Sequence, residues 1–177
     1  MALGGIDAIR LLRRIDRNVV ISPWVREREL RRFSAQVDLG IAEGWIRVEE
    51  PSISEVHNLM ETVRSTARLD RGEAETLVVA GYQAVPPTTV LIDEDEAFRF
   101  VQDSLLGRPS TASWKLVCLA ELLHDLEAGG DIDSAFGTMQ QLLNEGHYQW
   151  APAVWAHYAR TCQQRGLTPV PRTASQS

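Results

Sequence analysis

Apolar positions recur along the chain with two different periods, and these mark out its elements. Ile6, Ile9, Leu12 and Ile15 follow Gly4-Gly5 at three-residue steps, the spacing of one helix face. Asn18-Val19-Val20-Ile21-Ser22 is a short apolar run between polar residues, the pattern of a buried strand. Ser22-Pro23 then reads as an N-cap with proline at the first helical position, and the helix runs through Val25 and Leu30 to stop near Gly44. Residues 45–48 predict a second strand, ended by Pro51. Residues 54–69 predict a helix with Val56, Leu59, Met60 and Val63 on one face. The segment 70–75 leads into another helix, with Ala74, Leu77, Val78 and Gly81 inward. The most strand-like run, 89–92, ends abruptly in Asp93-Glu94-Asp95-Glu96.

The carboxy-terminal half reads as mostly helical. A short helix over 97–105 and a turn at Gly107-Arg108-Pro109 precede a long apolar helix over 110–126, which ends at Gly129-Gly130. Asp131 is expected to cap the next helix, whose Ile132, Ala135, Phe136, Met139, Leu142 and Leu143 fit an amphipathic stripe up to Gly146. Ala151-Pro152 opens a final helix carrying Val154, Trp155 and Tyr158. Residues 1–162 are expected to form one domain and 163–177 a disordered polar tail. Strands alternating with helices imply an α/β fold: three layers, with a mainly parallel central sheet flanked by helices.

Composition narrows the chemistry. No run approaches the ~18 apolar residues of a membrane span, and no signal-like apolar stretch opens the chain, so the expectation is a soluble, cytoplasmic protein. Cys118 and Cys162 stand in no CxxC spacing, and His57, His124, His147 and His157 make no HxxxH pair, which argues against a zinc enzyme. Neither GxGxxG nor GxxxxGK[ST] occurs, which argues against a nucleotide-binding Rossmann protein. The net charge is −6, yet residues 10–32 carry eight arginines against Asp16, Glu27 and Glu29. Such a stripe either forms solvated helix faces or positions phosphates, with Arg13, Arg14, Arg28 and Arg31 as the candidates.

Ligands of parallel sheets lie outside the carboxyl ends of the strands. Three acidic places fall there: Glu27 and Glu29 after the first strand, Glu73 and Glu75 at a helix start, and Asp93 to Glu96 after the third strand. Carboxylates gathered at one edge repel one another unless cations neutralise them, and hard oxygen donors select Mg²⁺ or Mn²⁺. The competing reading is structural. Glu73 and Glu75 also suit a helix first turn, and Asp93 suits a helix cap.

The strings VVISPWVREREL, GWIRVEEP, LDRGEAETLVVA, VLIDEDEAFRF and LAELLHDLEAGGDIDSAFGTMQQLLNEGHYQW resemble, in order, the PIN-domain proteins, specifically the DUF3368 group. The resemblance covers about residues 5–160. It implies a Mg²⁺- or Mn²⁺-dependent single-strand ribonuclease, often the toxin of a toxin–antitoxin pair. It places the catalytic acids at Glu27, Glu73, Glu75 and Asp93, with Glu29 and Asp95 as further metal ligands. VREREL is one residue longer than the family spacing, so the first acid is Glu27 or Glu29; the last lies among Asp93, Glu94 and Asp95. The family's central first strand, which ends in an aspartate, has no counterpart before Gly4, and Asp7 is a poor substitute. The metal site is therefore expected to be incomplete and the metal weakly held or absent. The strand would come from upstream, from a partner protein or a second copy, or the sheet would be reorganised. The alternative function is a non-catalytic PIN-like subunit that binds a partner.

Overall fold

The structure, a computed structural model, describes residues 8–15, 18–64, 68–82, 88–106, 108, 111–146 and 148–172. The expected absence of a first strand falls on residues 1–7, outside the described residues. Helix α1 (Ala8–Ile15) leads to strand β1 (Val19–Ile21), where β-branched residues suit a pleated, half-buried surface. A π-helical turn (Val25–Glu29), a 3₁₀ turn (Arg31–Phe33) and α2 (Ser34–Ala42) follow, and then β2 (Ile46–Val48). Strand β1 pairs with β2 in parallel, Val20 opposite Arg47. Gly40 lets α2 lie on β2, because a Cβ there would come 2.8 Å from the Trp45 ring and still closer to Ile46.

Helices α3 (Ile53–Val63) and α4 (Arg71–Tyr82) come next, then β3 (Thr88–Leu91), α5 (Asp95–Phe100), a second π-helical turn (Val101–Leu105) and β4 (Trp114–Val117). Strand β3 pairs with β4 in parallel, Val90 opposite Leu116. Helices α6 (Leu119–Ala128), α7 (Ala135–Asn144) and α8 (Pro152–Arg165) complete the order. Among the described residues the strands form two separate two-stranded sheets, and α4 packs against both β1 and β3. The α/β class and parallel pairing are as expected. The central layer is two strand pairs.

The helix expected from Pro23 to Gly44 is broken at Leu30 into the two turns and α2, and three expectations in the carboxy-terminal half need correction. The long helix over 110–126 is instead strand β4 followed by α6. Its WKLV run is too short for periodicity to separate strand from helix, and hydrogen bonds to β3 decide, including Ile92 N–H to Val117 O at 3.1 Å. Asp131 does not cap α7. Ser134 does, its hydroxyl accepting from Gly137 N–H, while Asp131 pairs with Arg14. A tail from 163 would begin inside α8, which runs to Arg165. The following segment packs back: Val170 is fully buried, and its N–H donates to the Tyr158 hydroxyl at 3.2 Å.

The main core gathers Phe98, Val101, Leu116, Met139, Leu142, Val154 and Tyr158 from α5, the π-helical turn after it, β4 and the carboxy-terminal helices. A smaller core of Ile9, Leu30, Val37, Trp45 and Ile46 holds α1 and α2 to β2. Val56, Ala74 and Val78 join α3 to α4. Two positions expected inward face out, Phe136 and Gly81.

Candidate functional site

The carboxyl ends of β1 and β3 and the amino end of α4 bring the acidic segments together, and each segment is set by its own local chemistry. After β1, buried Ser22 accepts from Val25 N–H through its hydroxyl and from Arg26 N–H through its carbonyl. The extra residue of VREREL is absorbed as the π-helical turn, in which Leu30 N–H donates to Val25 O, five residues back, at 2.9 Å. Leu30 enters the small core. The turn thereby separates the two candidate acids. Glu27 points to solvent. The Glu29 carboxylate lies against Gly72, and burial, Asp70 and Glu94 push its pKa up.

At the start of α4, Asp70 and Glu73 cap the helix reciprocally. Glu73 N–H donates to Asp70 Oδ1 at 2.8 Å, and Asp70 N–H donates to Glu73 Oε2 at 2.7 Å. Half-buried and facing the charges of Asp70, Glu94 and Glu29, Glu73 is raised to a pKa of about 7, burial being the largest cause. Glu75 is different. It is 4% exposed, and both oxygens are engaged, one by Arg71 Nε at 2.8 Å and the other by Trp24 N–H at 3.2 Å. Its carboxylate holds the segment after β1 against α4 instead of joining the acidic group.

The four acids after β3 also divide. Asp93 Oδ1 accepts from the Tyr148 hydroxyl at 2.8 Å and from Leu119 N–H at 3.1 Å. Burial raises its pKa to about 6, against the lowering effect of these two donors. Asp95 accepts from Ala153 N–H near the start of α8 at 2.6 Å and pairs with Arg99. Glu96 accepts from Arg68 N–H. Glu94 is exposed, and its charge raises the pKa of Glu29, Glu73 and Asp93 alike. Glu29, Asp70, Glu73 and Glu94, from three chain segments, thus form one electrostatically coupled acidic edge.

A family model for PIN domains, DUF3368, matches residues 1–157 of this sequence. The chain belongs to the PIN-domain family. No curated protein and no solved structure matches it. In this PIN domain the acidic edge lies where open parallel sheets bind ligands, and its oxygen donors are of the kind Mg²⁺ and Mn²⁺ take. The number of donors within reach is the difficulty. Among the described residues no three of His, Cys, Asp and Glu are set to hold one ion, so these residues do not by themselves fit the metal site of a PIN nuclease. No helix among them is long and apolar enough to cross a membrane.

The arginine stripe is dispersed. Arg13 pairs with Glu43 and lies over Trp45, and Arg14 pairs with Asp131. Both stand on α1, beside a groove of about 290 Å³ between α1 and α2 that shares no residue with the acidic edge. Arg31 is exposed. Arg28 alone of the four candidates adjoins the edge, its guanidinium 5.3 Å from the centre of the Trp24 ring. Arg71 joins it there at 5.0 Å. The sequence reading overlooked Trp24, Asp70 and Arg71 as site residues. Two spacings signal the last two: Asp70 and Glu73 three apart, as in a capping box, and Arg71 and Glu75 four apart, as in a helical ion pair, whereas Trp24 meets Glu75 only through the fold.

Proposed function

We propose that this PIN domain is of the Mg²⁺- or Mn²⁺-dependent single-strand ribonuclease type, as in toxin–antitoxin pairs, with an acidic edge of Glu29, Asp70, Glu73 and Glu94 that is incomplete as a metal site. One observation carries the reading. Carboxylates from three chain segments lie within one another's field beside the amino end of α4, with the Glu29 carboxylate against Gly72, and their charges add to burial in raising Glu73 to a pKa of about 7. Acids gathered at the carboxyl ends of parallel strands suit a cation, which would relieve the repulsion among them. With so few donors in reach, metal binding should be weak.

The test is a Mn²⁺ titration followed by heat, beside cleavage of an end-labelled single-stranded RNA in Mn²⁺ and in EDTA. Weak Mn²⁺ binding that is lost in Glu29→Gln/Glu94→Gln, with slow Mn²⁺-dependent cleavage lost in the same variant, supports the reading. Rapid cleavage that persists in EDTA or in the double variant overturns it.

A second reading rests on the two separate strand pairs. Here the domain is a non-catalytic subunit whose inner strand edges accept a strand from a partner protein or a second copy. Absence of both Mn²⁺ binding and cleavage would favour it.

A further inference from the structure

The acidic edge raises a problem for any nucleic acid brought to it. Its charge repels phosphates, and the whole chain is net negative. A strand placed there needs adjacent groups that hold it without adding negative charge. The structure has such a group at the rim. Trp24 is half-buried, and two exposed guanidinium groups lie over its ring, those of Arg28 and Arg71.

This group is organised from below. Glu75, buried and fully engaged, fixes the Trp24 main chain with one oxygen and the Arg71 guanidinium with the other. The ring is also anchored beside the acids. A Cβ added at Gly72 would meet both the Glu29 carboxylate and Trp24 Cδ1, so indole edge and carboxylate touch the same bare Cα. A flat aromatic surface with two cations, held rigidly at the border of a carboxylate cluster, matches what an unpaired nucleotide requires. The base stacks on the indole or on a guanidinium plane, and the flanking phosphate takes the positive charge. A duplex hides its base faces and gains nothing from the stack.

We propose that Trp24, Arg28 and Arg71 form a stacking platform that binds one unpaired nucleotide of single-stranded RNA and leads the strand onto the acidic edge. This rests on the ribonuclease reading above and names the contact that selects single strands. Glu75 is its positioning residue.

The test measures binding of a labelled single-stranded RNA oligonucleotide by fluorescence anisotropy in EDTA, where no metal-dependent cleavage can occur. Wild type should bind the single strand at least ten-fold more tightly than the duplex of the same sequence. Trp24→Ala should lose about ten-fold in affinity, a typical value for one stacked base, and Trp24→Phe should recover most of it. Arg28→Ala should reduce the slope of log affinity against log salt by about 0.7, the share of one phosphate on a single strand, while Trp24→Ala leaves that slope unchanged. Should Trp24→Ala fail to fold, Trp24→Phe and Arg28→Ala still decide. Unchanged binding by folded Trp24→Ala, equal affinity for duplex and single strand, or an unchanged salt slope in Arg28→Ala overturns the platform. Because cleavage is measured separately, Mn²⁺-dependent cleavage by a protein with no such stack would refute the platform alone and leave the ribonuclease reading standing.

Discussion

At Glu73 a helix-capping carboxylate is half-buried beside other acids, and burial first, then their charge, raises its pKa. Its proton is held in the folded chain to about pH 7, whereas an unfolded chain releases it near the ordinary value of 4.5. Between those two values the folded state binds more protons, so stability falls as pH rises from about 4.5 to about 7. Asp93 adds a fall of the same sign between its ordinary 3.8 and about 6. Thermal melts in EDTA should therefore show a Tm that declines over this window. Glu73→Gln keeps the acceptor for Asp70 N–H, and should flatten the upper part of the slope and raise Tm at pH 8. An equally steep slope in that variant would show that the charge at 73 is not the cause. Tyr148→Phe removes a donor from Asp93, whose pKa should rise further. Stability at neutral pH should fall by about 1–3 kcal/mol, the cost of leaving a buried acceptor short of a partner; carboxyl titration by NMR would follow the first and denaturant unfolding the second.

Among the elements, the amino end of α4 shows how an N-cap can work against its own surroundings. Asp70 gains its hydrogen bond from Glu73 N–H and favours the helix dipole, yet it stands within the field of Glu29 and Glu73. Asparagine caps a helix about as well as aspartate does. Asp70→Asn should therefore raise Tm at pH 8, while Asp70→Ala, which loses the cap, should cost up to about 1 kcal/mol, partly offset by the charge removed. A lower Tm in Asp70→Asn would mean that the acidic edge carries no repulsion. The π-helical turn after β1 is the other decisive element. By taking up one residue it carries Glu29 to Gly72 and leaves Glu27 in solvent, and the spacing of the acids alone could not choose between them.

For the whole molecule, the carboxy-terminal segment is tied to α8 by two side chains, Tyr158 and Trp155. The Tyr158 hydroxyl lies 3.0 Å from His124 Nε2 and accepts from Val170 N–H, and Trp155 Nε1–H donates to Val170 O. Tyr158→Phe should cost about 1–3 kcal/mol, because two buried polar groups lose a partner. It should also speed hydrogen exchange at the Val170 amide ahead of the rest of the core. Uniform exchange across α8 and Val170 in that variant would show that the hydroxyl holds the core as one unit instead of this strap.

The sequence by itself determined the features that depend on near neighbours. Strands β1, β2 and β3, the helix stops at Gly44, Gly129-Gly130 and Gly146, and the start of α8 at Pro152 follow from local period, caps and left-handed glycines. That acidic segments follow β1 and β3 and open α4 was likewise legible in the order of the elements. Tertiary structure decided which acid does what. Glu75 and Asp95 are spent on Trp24, Arg71, Arg99 and Ala153, and Asp93 on Tyr148 and Leu119, partners lying up to 58 residues away. It likewise paired Arg13 with Glu43 and Arg14 with Asp131, and made a strand of WKLV by setting it beside β3. Charge and hydrophobicity are written in each residue, but a carboxylate's role depends on which donors and charges the fold brings within a few ångströms of it.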